Sequence, residues 1–505
     1  MSVPPEQEEA AAFLRGLAGA APVETHISLV FVGTDTVWKL KKAVRLAFLD
    51  FTPREERKRF ALRELDLNRP AAPDLYRDVV PIVRRPDGKL ALGDRVETDL
   101  PVVDWVLRMA RVPAEDFLDT VADAGGLTPE LLDALGDAVA AYHQALPPAS
   151  GFDAVAAMRD VTKGNARSAL DAGLPAHAVQ DWQSRLLAAL DDHAPWLAQR
   201  GASGFVRRAH GDLHLGNLCL WRGTPVPFDA LEFDEAMATI DLGYDLAFLL
   251  MDLDQRVARA AANRVLNRYV ARTGDAALTR SMPMFLSLRA MIRAHVEAKR
   301  GRAEPALRYL AAAAHYLDAE VPVVVAIGGL PGTGKSTLAR ALAPELGRAP
   351  GALVLRSDEV RKRRHGVPPE QRLSQSAYSA AESEAVFAEL AALARVAAEG
   401  GHAVIADATF IDLHHRATIE DAVSAVGVPF VGLWLEAPLP VLEARIAARR
   451  DDASDATVAV LRSASRGNPQ AGTWVAVDAS MAETALAQAR AAVQPVVMRS
   501  RLVSC

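Results

Sequence analysis

Cysteine is almost absent from this sequence: Cys219 and Cys505 are the only two in 505 residues. Two thiols so far apart provide neither a disulfide framework nor the paired spacing of a zinc site. This scarcity argues against a disulfide-stabilised secreted domain and favours a reducing, cytoplasmic compartment. The N-terminal segment MSVPPEQEEAAAF agrees, because it is acidic and lacks the basic start and apolar run of a signal peptide.

Long hydrophobic runs and an excess of positive charge are also missing. The longest apolar stretches, such as VPVVVAIGG, are broken by glycine well short of a membrane span, so we expect no membrane association. The formal net charge is −6. An acidic balance argues against a dedicated nucleic-acid binder, whose affinity normally rests on a basic surface, although it leaves a local basic groove open.

What the sequence does have is a globular composition, with 50% hydrophobic and 24% charged residues. Its length exceeds what one hydrophobic core normally supports, so we expect more than one domain. The pattern of predicted elements changes between about residues 315 and 321. We therefore predict a first domain over 1–318 and a second over 319–505.

The first domain mixes predicted hairpins with helices. THISLVFVGTDTVWKLKK alternates apolar and polar residues around GTD, which predicts a β-hairpin. The next segment has helical periodicity, with Thr52 as its cap and Pro53 at the first helical position. Further along, the pattern predicts a hairpin turning at PDG, mostly helical sequence over 104–200, strands and loops over 205–234, and helices to about 318.

The second domain has a different pattern. Apolar segments at 322–327, 403–406 and 429–435 alternate with amphipathic helices. This alternation is typical of a parallel sheet with crossover helices, so the second domain is predicted to be α/β.

A phosphate-binding loop follows the first of these strands. GLPGTGKST (329–337) fits G-x-x-x-x-G-K-[ST] between a predicted strand and a predicted helix. Its glycines allow backbone N–H groups to close around phosphate oxygens. Lys335 is expected to reach the β- and γ-phosphates of ATP, and Ser336 to hold Mg²⁺. We assign nucleotide binding to Gly329, Gly332, Thr333, Gly334, Lys335, Ser336 and Thr337.

Further polar residues follow other strands of this domain. Asp358 and Asp407 each end a predicted apolar strand, and ligands of such sheets bind at that edge. Asp407 is expected to ligate Mg²⁺ or to lie just behind it. Asp358 has an alternative interpretation as the N-cap of the helix EVRK, and both roles are compatible. The basic run RKRR (361–364) is interpreted as a solvated helix face rather than as a nucleic-acid contact.

The segments GLPGTGKST, RSDEVRKRRHGVPP, VIADATF, LWLEAP and ARIAARRDDASDA together resemble the small P-loop kinases related to polynucleotide kinase, gluconate kinase and zeta toxins. The resemblance covers nearly all of 321–480. It implies that Asp358 accepts the proton of the substrate hydroxyl. It also implies that the lid arginines Arg445 or Arg449, which share one face of a helix, stabilise the transferring phosphoryl group.

The segment HGDLHLGN (210–217) in the first domain has two interpretations. Two histidines and an aspartate could belong to a zinc site, but such a site needs three or four N or S ligands, and beyond its two histidines this stretch supplies only carboxylates. The alternative is the catalytic loop of a kinase: Asp212 and Asn217, followed by Asp229 after a short apolar strand. Asp212 would then be the base, and Asn217 and Asp229 the Mg²⁺ ligands.

A kinase-like fold also needs a phosphate-binding lysine on an N-terminal strand and a glutamate on the next helix. Lys39 and Lys41 lie on the same face of one predicted strand, and Glu64 lies on the helix that follows. VWK matches the V-x-K pattern, which favours Lys39 over Lys41. Alternatively, both lysines simply form the polar face of an edge strand.

With these pieces in order, residues 20–300 resemble the aminoglycoside phosphotransferase branch of the kinase-like fold, in particular bacterial proteins in which such a domain is fused to a P-loop kinase. The resemblance rests on the segments ETHISLVFVGTDTVWKLKKAVRLAFLDF, ELDLNRPAAPDLY, HGDLHLGNLCLW, FDALEF and IDLGYDLAFLLMDLD. The resemblance implies a small β-rich lobe over a helical lobe. Two features depart from protein kinases: there is no G-x-G-x-x-G loop, and FDALEF has no glycine after Asp229, so activation-loop regulation is not expected. Asp241 and Asp245 are expected to stabilise the predicted catalytic loop at 210–217, and Asp252 and Asp254 to lie at the surface or beside the substrate.

The sequence thus predicts a tandem phosphotransferase in which each domain uses ATP and Mg²⁺ to phosphorylate a hydroxyl group of a small molecule. One alternative is that the P-loop domain is a 5′-hydroxyl kinase of nucleic-acid ends. Another is that one domain is a nucleotide-sensing regulator of the other. The identity of the substrates, the oligomeric state and the docking of the domains are left open.

Overall fold

The computed structural model describes residues 3–46, 49–94, 98–448, 453–467 and 469–503. The chain divides into two compact units. Unit 1 comprises Met1–Leu127, Ala141–Ala157 and Leu197–Asp245, and unit 2 comprises Thr128–Ala140, Met158–Trp196 and Leu246–Cys505. Among the residues described, no helix combines the length and the apolar character needed to cross a bilayer.

The strands, in chain order, are β1 (Val23–Glu24), β2 (Ser28–Val32), β3 (Thr36–Lys41), β4 (Arg45–Leu46), β5 (Leu49–Asp50), β6 (Tyr76–Arg84), β7 (Leu90–Leu92), β8 (Val102–Ala110), β9 (Val206–Arg208), β10 (Leu218–Trp221), β11 (Thr224–Pro227), β12 (Thr239–Asp241), β13 (Val324–Gly329), β14 (Leu353–Arg356), β15 (Val404–Asp407), β16 (Phe430–Glu436) and β17 (Val475–Asp478).

The helices are α1 (Glu8–Ala18), α2 (Arg54–Asn68), α3 (Leu118–Asp123), α4 (Pro129–Ala145), α5 (Ala154–Asp171), α6 (Ala176–Ala202), α7 (Glu235–Ala238), α8 (Leu242–Arg256), α9 (Arg259–Thr273), α10 (Met282–Lys299), α11 (Ala303–His315), α12 (Lys335–Leu342), α13 (Ser357–Arg364), α14 (Ala380–Glu399), α15 (Leu413–Ser424), α16 (Leu439–Ala448), α17 (Val458–Ser465) and α18 (Ala482–Val503).

Unit 1 is built on an antiparallel sheet with the strand order β1-β2-β3-β8-β6-β7. Successive residues of β8 belong to two different cores, with Val106 in one and Leu107 in the other, because side chains alternate between the two faces of a strand. Helix α1 covers the Val106 face and α2 the Leu107 face. Leu40 of β3 lies on the α1 side, so the odd-numbered residues of β3 near it face α2.

Unit 2 contains a five-stranded parallel sheet with the order β14-β15-β13-β16-β17. Residues of α12 and α18 pack on one face of it in a continuous apolar core. The predicted strands of the second domain are therefore confirmed as β13, β15 and β16, in parallel as expected. The carboxyl ends of β13, β14 and β15 are neighbours, which brings the residues that follow them to one edge.

The outer strand of this sheet, β14, is covered by side chains of α9. The amide nitrogen of Asn263 donates to the carbonyl of Ala352 over 3.0 Å, and the amide oxygen of Asn267 accepts the N–H of Val354 over 2.7 Å. Unpaired backbone groups on an edge strand must otherwise be solvated or paired with another strand. The asparagines therefore satisfy an edge that would be open in an isolated sheet.

Several local predictions need correction. Helix α2 begins at Arg54 with Pro53 as its N-cap residue, so Thr52 is not the cap. The segment predicted as mostly helical from residue 104 contains β8, whose nine residues are covered on both faces and so do not show a clean alternation. Strand β17, at the far edge of the parallel sheet, was not predicted at all. The two hairpins of the first domain are confirmed as β2–β3 and β6–β7.

Candidate active sites

In unit 1, the two lysines of β3 meet the glutamate of α2. Lys39 Nζ lies 2.7 Å from Glu64 Oε1 and 2.5 Å from Asp229 Oδ1. Lys41 Nζ lies 2.8 Å from the other oxygen of Glu64 and 2.5 Å from Glu232 Oε1. The interpretation of both lysines as the polar face of an edge strand is wrong, since β3 lies between β2 and β8 and the two side chains are only 13% and 2% exposed.

The charges of this cluster stabilise one another. Burial by itself would raise the pKa of Glu64, but Lys39 and Lys41 outweigh it and lower that pKa to about 2. Burial would lower the pKa of Lys39, yet Asp229 and Glu64 raise it well above the usual value. A buried charge persists only when it is paired in this way. Lys39 is the lysine that contacts Asp229, the residue for which the sequence predicts metal binding.

Residues 210–217, here called the Asp212 loop, fold so that the predicted base and metal ligand touch. The amide nitrogen of Asn217 donates both to the carboxylate and to the carbonyl oxygen of Asp212, each over 2.9 Å. These bonds use the amide nitrogen, so the amide oxygen is the atom that Asn217 can offer to a cation. Carboxylate and amide oxygens are the donors that Mg²⁺ prefers, so Asn217 and Asp229 fit this ion.

The ring of His210 is used to brace this loop. Nε2 lies 2.9 Å from the carbonyl oxygen of Phe228, and Nδ1 accepts the N–H of Asp212 over 3.3 Å. Burial lowers the pKa of His210, in keeping with a neutral ring that donates from one nitrogen and accepts with the other. Nδ1 of His214 likewise accepts the N–H of Gly216. This geometry is that of a hydrogen-bonded scaffold and not of zinc ligands.

Asp245 anchors the start of the Asp212 loop, as predicted. Its carboxylate accepts the backbone N–H of His210 over 3.0 Å and that of Gly211 over 2.9 Å, and it also contacts Nε2 of His143. Asp241 was expected to do the same, but its carboxylate binds the guanidinium of Arg200 instead.

The expectation that Asp252 lies at the surface is also wrong. Its side chain is fully buried in unit 2. In the same unit, the carboxylate of Asp254 accepts hydrogen bonds from the hydroxyl of Tyr316 and the amide of Gln255.

Sequence reasoning missed two residues that hold the Asp229 segment. The Tyr76 hydroxyl accepts the N–H of Asp229, and Oδ1 of Asn68 accepts the N–H of Ala230, each over 2.9 Å. Asp229 itself has a φ of 60°, a left-handed conformation that costs a non-glycine residue energy and needs such support. Only ELDLNRPAAPDLY, quoted for its family resemblance, contained a signal for either residue.

In unit 2, the phosphate-binding loop joins β13 to α12 as predicted. Gly332 has a φ of 87°, and a Cβ there would lie 2.7 Å from the carbonyl oxygen of Leu442, so only glycine fits. Lys335 Nζ donates to the carbonyls of Gly329 and Leu330 across the loop. Thr333 is buried and its hydroxyl donates to Leu330, whereas Thr337 is exposed on α12.

The predicted Mg²⁺ ligands of this unit lie side by side. Ser336 Oγ donates to Asp407 Oδ2 over 2.5 Å, and Asp407 is the last residue of β15. Arg356 Nε lies 3.4 Å from the same oxygen. A hydroxyl and a carboxylate next to a glycine-rich loop are the oxygen donors that Mg²⁺–nucleotide sites use, so these residues fit the ion.

One cavity of about 950 Å³ brings the second predicted site together. Its lining includes the loop from Gly332 to Thr337, together with Asp358, Asp407 and Arg445. Asp358 lies in the first turn of α13, and the N-cap position is occupied by Arg356, so the N-cap interpretation is wrong. Burial raises the pKa of Asp358, and Arg356 opposes this only in part. A carboxylate with a raised pKa is a better proton acceptor.

The predicted lid arginines have different outcomes. The guanidinium of Arg445 is bound by backbone carbonyls: Ala479 and Ser480, each over 2.9 Å, and the loop residue Thr333 over 3.5 Å. It therefore ties α16 to the phosphate-binding loop in addition to lining the cavity. Arg449 lies outside the described residues.

The prediction that RKRR forms a solvated face is wrong for its first two residues, whereas Arg364 is exposed. Arg361 and Lys362 are 6% and 1% exposed. Lys362 forms an ion pair with Asp455 at 2.7 Å, whereas Arg363 and Arg364 pair with glutamates of α14. Three of the four charges are therefore neutralised within unit 2, which weakens the nucleic-acid interpretation of this run.

Comparison with known proteins agrees with this geometry. Residues 34–282 match the phosphotransferase enzyme family, and residues 324–467 match the AAA domain family. A Mycobacterium tuberculosis protein, named uncharacterized protein Rv2004c, is 30% identical over 455 residues, which cover 86% of this chain and 88% of that protein. An adenylyl-sulfate kinase of Myxococcus xanthus is 37% identical over 120 residues, or 23% of this chain and 59% of the kinase.

Solved structures are similar at a lower level. The crystal structure of a choline kinase from Cryptosporidium parvum has 10% sequence identity and a TM-score of 0.37, and the match covers 58% of this chain and 87% of that one. The match to the phosphotransferase enzyme family supports phosphotransferase activity in general. The chain belongs to a family of two-domain proteins that join an N-terminal phosphotransferase domain of the aminoglycoside phosphotransferase type to a C-terminal P-loop kinase-like domain.

Proposed function

We propose that the protein is a bifunctional ATP-dependent phosphotransferase, in which domains 1–318 and 319–505 each transfer the γ-phosphate of ATP to a hydroxyl group of a small molecule. The supporting observation is that each half separately combines a lysine, oxygen donors suited to Mg²⁺ and a further carboxylate. Both reactions then depend on positioning and charge neutralisation and need no covalent intermediate.

In the first domain, Asp212 accepts the proton of the substrate hydroxyl as that oxygen attacks the γ-phosphorus of ATP, and the bond from this phosphorus to the β–γ bridging oxygen breaks, so that ADP leaves. Asn217 orients the Asp212 carboxylate through its amide nitrogen and leaves its amide oxygen for the ion. Lys39 binds the phosphates, and Asp229 holds Mg²⁺ together with Asn217. When bound, Mg²⁺ neutralises the negative charge on the phosphate oxygens.

In the second domain, the backbone N–H groups of the glycine-rich loop and Lys335 bind the phosphates. Ser336 and Asp407 hold Mg²⁺. Asp358 accepts the substrate proton, and its raised pKa suits this role. Arg445 keeps α16 against the loop. We assign stabilisation of the transferring phosphoryl group to Arg445 and, from the family resemblance alone, to Arg449. The adenylyl-sulfate kinase similarity agrees with a small-molecule acceptor.

The proposal implies ATP and Mg²⁺ as cofactors, a cytoplasmic location and no membrane partner. The alternative in which the P-loop domain acts on 5′-hydroxyl ends of nucleic acid is disfavoured by the ion pairing of RKRR and by the net charge of −6. The experiment below includes it as an outcome.

The test is transfer of labelled phosphate from ATP to a metabolite extract. The full-length protein is compared with Asp212→Asn and Lys335→Ala, each of which should remove a different set of products, and the double variant should remove all of them. Asp78→Asn serves as a control for the aspartate, because Asp78 forms a partly exposed ion pair with Arg108 elsewhere in unit 1. Products that survive in the double variant contradict the proposal.

A second arm supplies a 5′-hydroxyl oligonucleotide in place of the extract. Two results together would show that the second domain acts on a nucleic-acid end and not on a small molecule. The oligonucleotide would be labelled by the full-length protein but not by Asp358→Asn, and no labelled metabolite would depend on Lys335.

A further inference from the structure

Lys41 and Glu232 form a buried ion pair beside Lys39, and the proposed reaction assigns no step to either residue. Lys41 bridges Glu64 and Glu232 with N–O distances of 2.8 and 2.5 Å, and the side chains of all three are at most 5% exposed. Lys39 is the more accessible lysine, with 13% of its side chain exposed, and its second partner is Asp229. The two lysines therefore share Glu64 but differ in their other carboxylate.

Because Lys39 and Lys41 both contact Glu64, the presence of Lys41 affects how freely Lys39 can bind a phosphate group. Glu64 offers one oxygen to each lysine, so Lys41 compensates part of its charge permanently. If Lys41 were absent, Glu64 and Glu232 would be buried with one remaining cation between them, and an uncompensated buried carboxylate is strongly unfavourable. Lys39 would then be drawn to Glu64 more tightly and would be less free to bind a nucleotide.

Glu232 is the last residue of the Asp229 segment (229–232), in which a hydrogen bond or ion pair fixes each residue. The backbone N–H groups of Asp229, Ala230 and Leu231 are bound respectively by the hydroxyl of Tyr76, the side chain of Asn68 and the carbonyl of His210. The carboxylate of Glu232 binds Lys41. The segment therefore carries Asp229 in a left-handed conformation that is fixed from both sides.

We propose that Lys41 and Glu232 are positioning residues that lock the Asp229 segment in one arrangement and compensate Glu64, so that Lys39 alone serves the phosphates. This inference rests on the proposed function of the first domain. It also gives a physical reason why activation-loop regulation is not expected. Protein kinases have a flexible glycine directly after the aspartate that corresponds to Asp229, whereas this chain has Glu232, three residues after Asp229, in a buried ion pair.

The experiment measures binding of a fluorescent ATP analogue to the full-length protein as a function of Mg²⁺ concentration. All variants carry Lys335→Ala so that the P-loop does not contribute. Lys41→Met should raise the Mg²⁺ concentration for half-maximal binding about tenfold, since apparent affinity falls with the fraction of molecules in the competent arrangement. Glu232→Gln should raise it less, because an amide oxygen can still accept from Lys41.

Lys42→Met is the matched control. Lys42 follows Lys41 directly, its side chain is 0% exposed, and it forms its ion pair with a different carboxylate, that of Glu24. It should lower the thermal unfolding temperature without changing the Mg²⁺ requirement. If Lys41→Met and Glu232→Gln change only the unfolding temperature, as the control does, the two residues are merely structural and the inference is wrong.

The same titration separates this failure from failure of the proposed function. Lys39→Met should abolish most of the binding. If the Lys335→Ala protein binds no analogue, or if Lys39→Met leaves the binding intact, the proposed nucleotide site of the first domain is wrong and the inference fails with it.

Discussion

Replacing Asp245 by asparagine should release the Asp212 loop while changing almost no volume. The carboxylate is fully buried and accepts from the backbone N–H groups of His210 and Gly211 and contacts the ring of His143. Its two oxygens are both used: Oδ1 faces Gly211, and Oδ2 faces the two histidines. An amide has only one accepting oxygen, so one side of this arrangement must lose its acceptor and face an N–H₂ group.

The size of the effect follows from these contacts. A hydrogen bond to a charged group contributes about 1.5 to 3 kcal/mol, and leaving a buried donor unsatisfied costs a similar amount, so Asp245→Asn should lower the free energy of unfolding by about 2 to 4 kcal/mol. The loop start would also shift relative to Asp212. A displacement on the order of 1 Å can lower the rate of a positioned reaction about 100-fold.

Two measurements check this prediction on the full-length protein. Urea unfolding gives the loss of stability, and labelled phosphate transfer gives the activity that depends on Asp212. The control is Asp78→Asn, which removes a partly exposed ion pair with Arg108 and should cost at most about 1 kcal/mol. An Asp245→Asn protein that matches the control in both stability and transfer would refute the anchoring role.

Three further predictions concern unit 2. Gly332→Ala should weaken nucleotide binding by the P-loop at least about tenfold, because the new Cβ would meet a carbonyl oxygen of α16. Gly366→Ala is the control, since Gly366 also has a positive φ but lies in open space, and it should not weaken binding. Equal binding constants of the two variants in a nucleotide titration would contradict this prediction. Burial raises the pKa of Asp358, and only the deprotonated carboxylate can accept a proton. The activity of this domain should therefore fall with decreasing pH at values above the usual titration range of aspartate. A pH–activity profile without this fall on the acidic side would disprove the prediction. Asn267→Leu should lower the free energy of unfolding by about 1 to 3 kcal/mol, since the N–H of Val354 loses its partner on the sheet edge, and an unchanged urea midpoint would exclude this role.

The local parts of both sites could be predicted from the sequence. A glycine-rich loop between a strand and a helix, and carboxylates at strand ends, are set by neighbours in the chain. The parallel pairing of β14, β15 and β13 then brings Asp358, Asp407 and the loop to one cavity, because carboxyl ends of parallel strands share an edge. Lys39 and Glu64 were likewise proposed from their order and spacing, and their side chains form an ion pair.

Other features could not be predicted because they depend on contacts between distant segments. RKRR is charged, so the burial of Arg361 and Lys362 was not expected; Asp455, 93 residues from Lys362, provides the carboxylate that compensates this lysine. Tyr76 and Asn68 hold the Asp229 segment across more than 150 residues of chain. Strand β8 was missed because both of its faces are covered, so its pattern lacks the alternation of a half-exposed strand.

The sequence by itself identified the two kinase-like domains, since the motifs of each require a few residue types at short, fixed spacings. The tertiary structure decided which distant groups pair: Lys41 with Glu232 and Lys39 with Asp229. It also decided that asparagines of α9 bind the backbone groups at the edge of β14. The physical reason is that a buried charge or backbone group must find a partner in space, and no short stretch of chain specifies which distant residue that partner is.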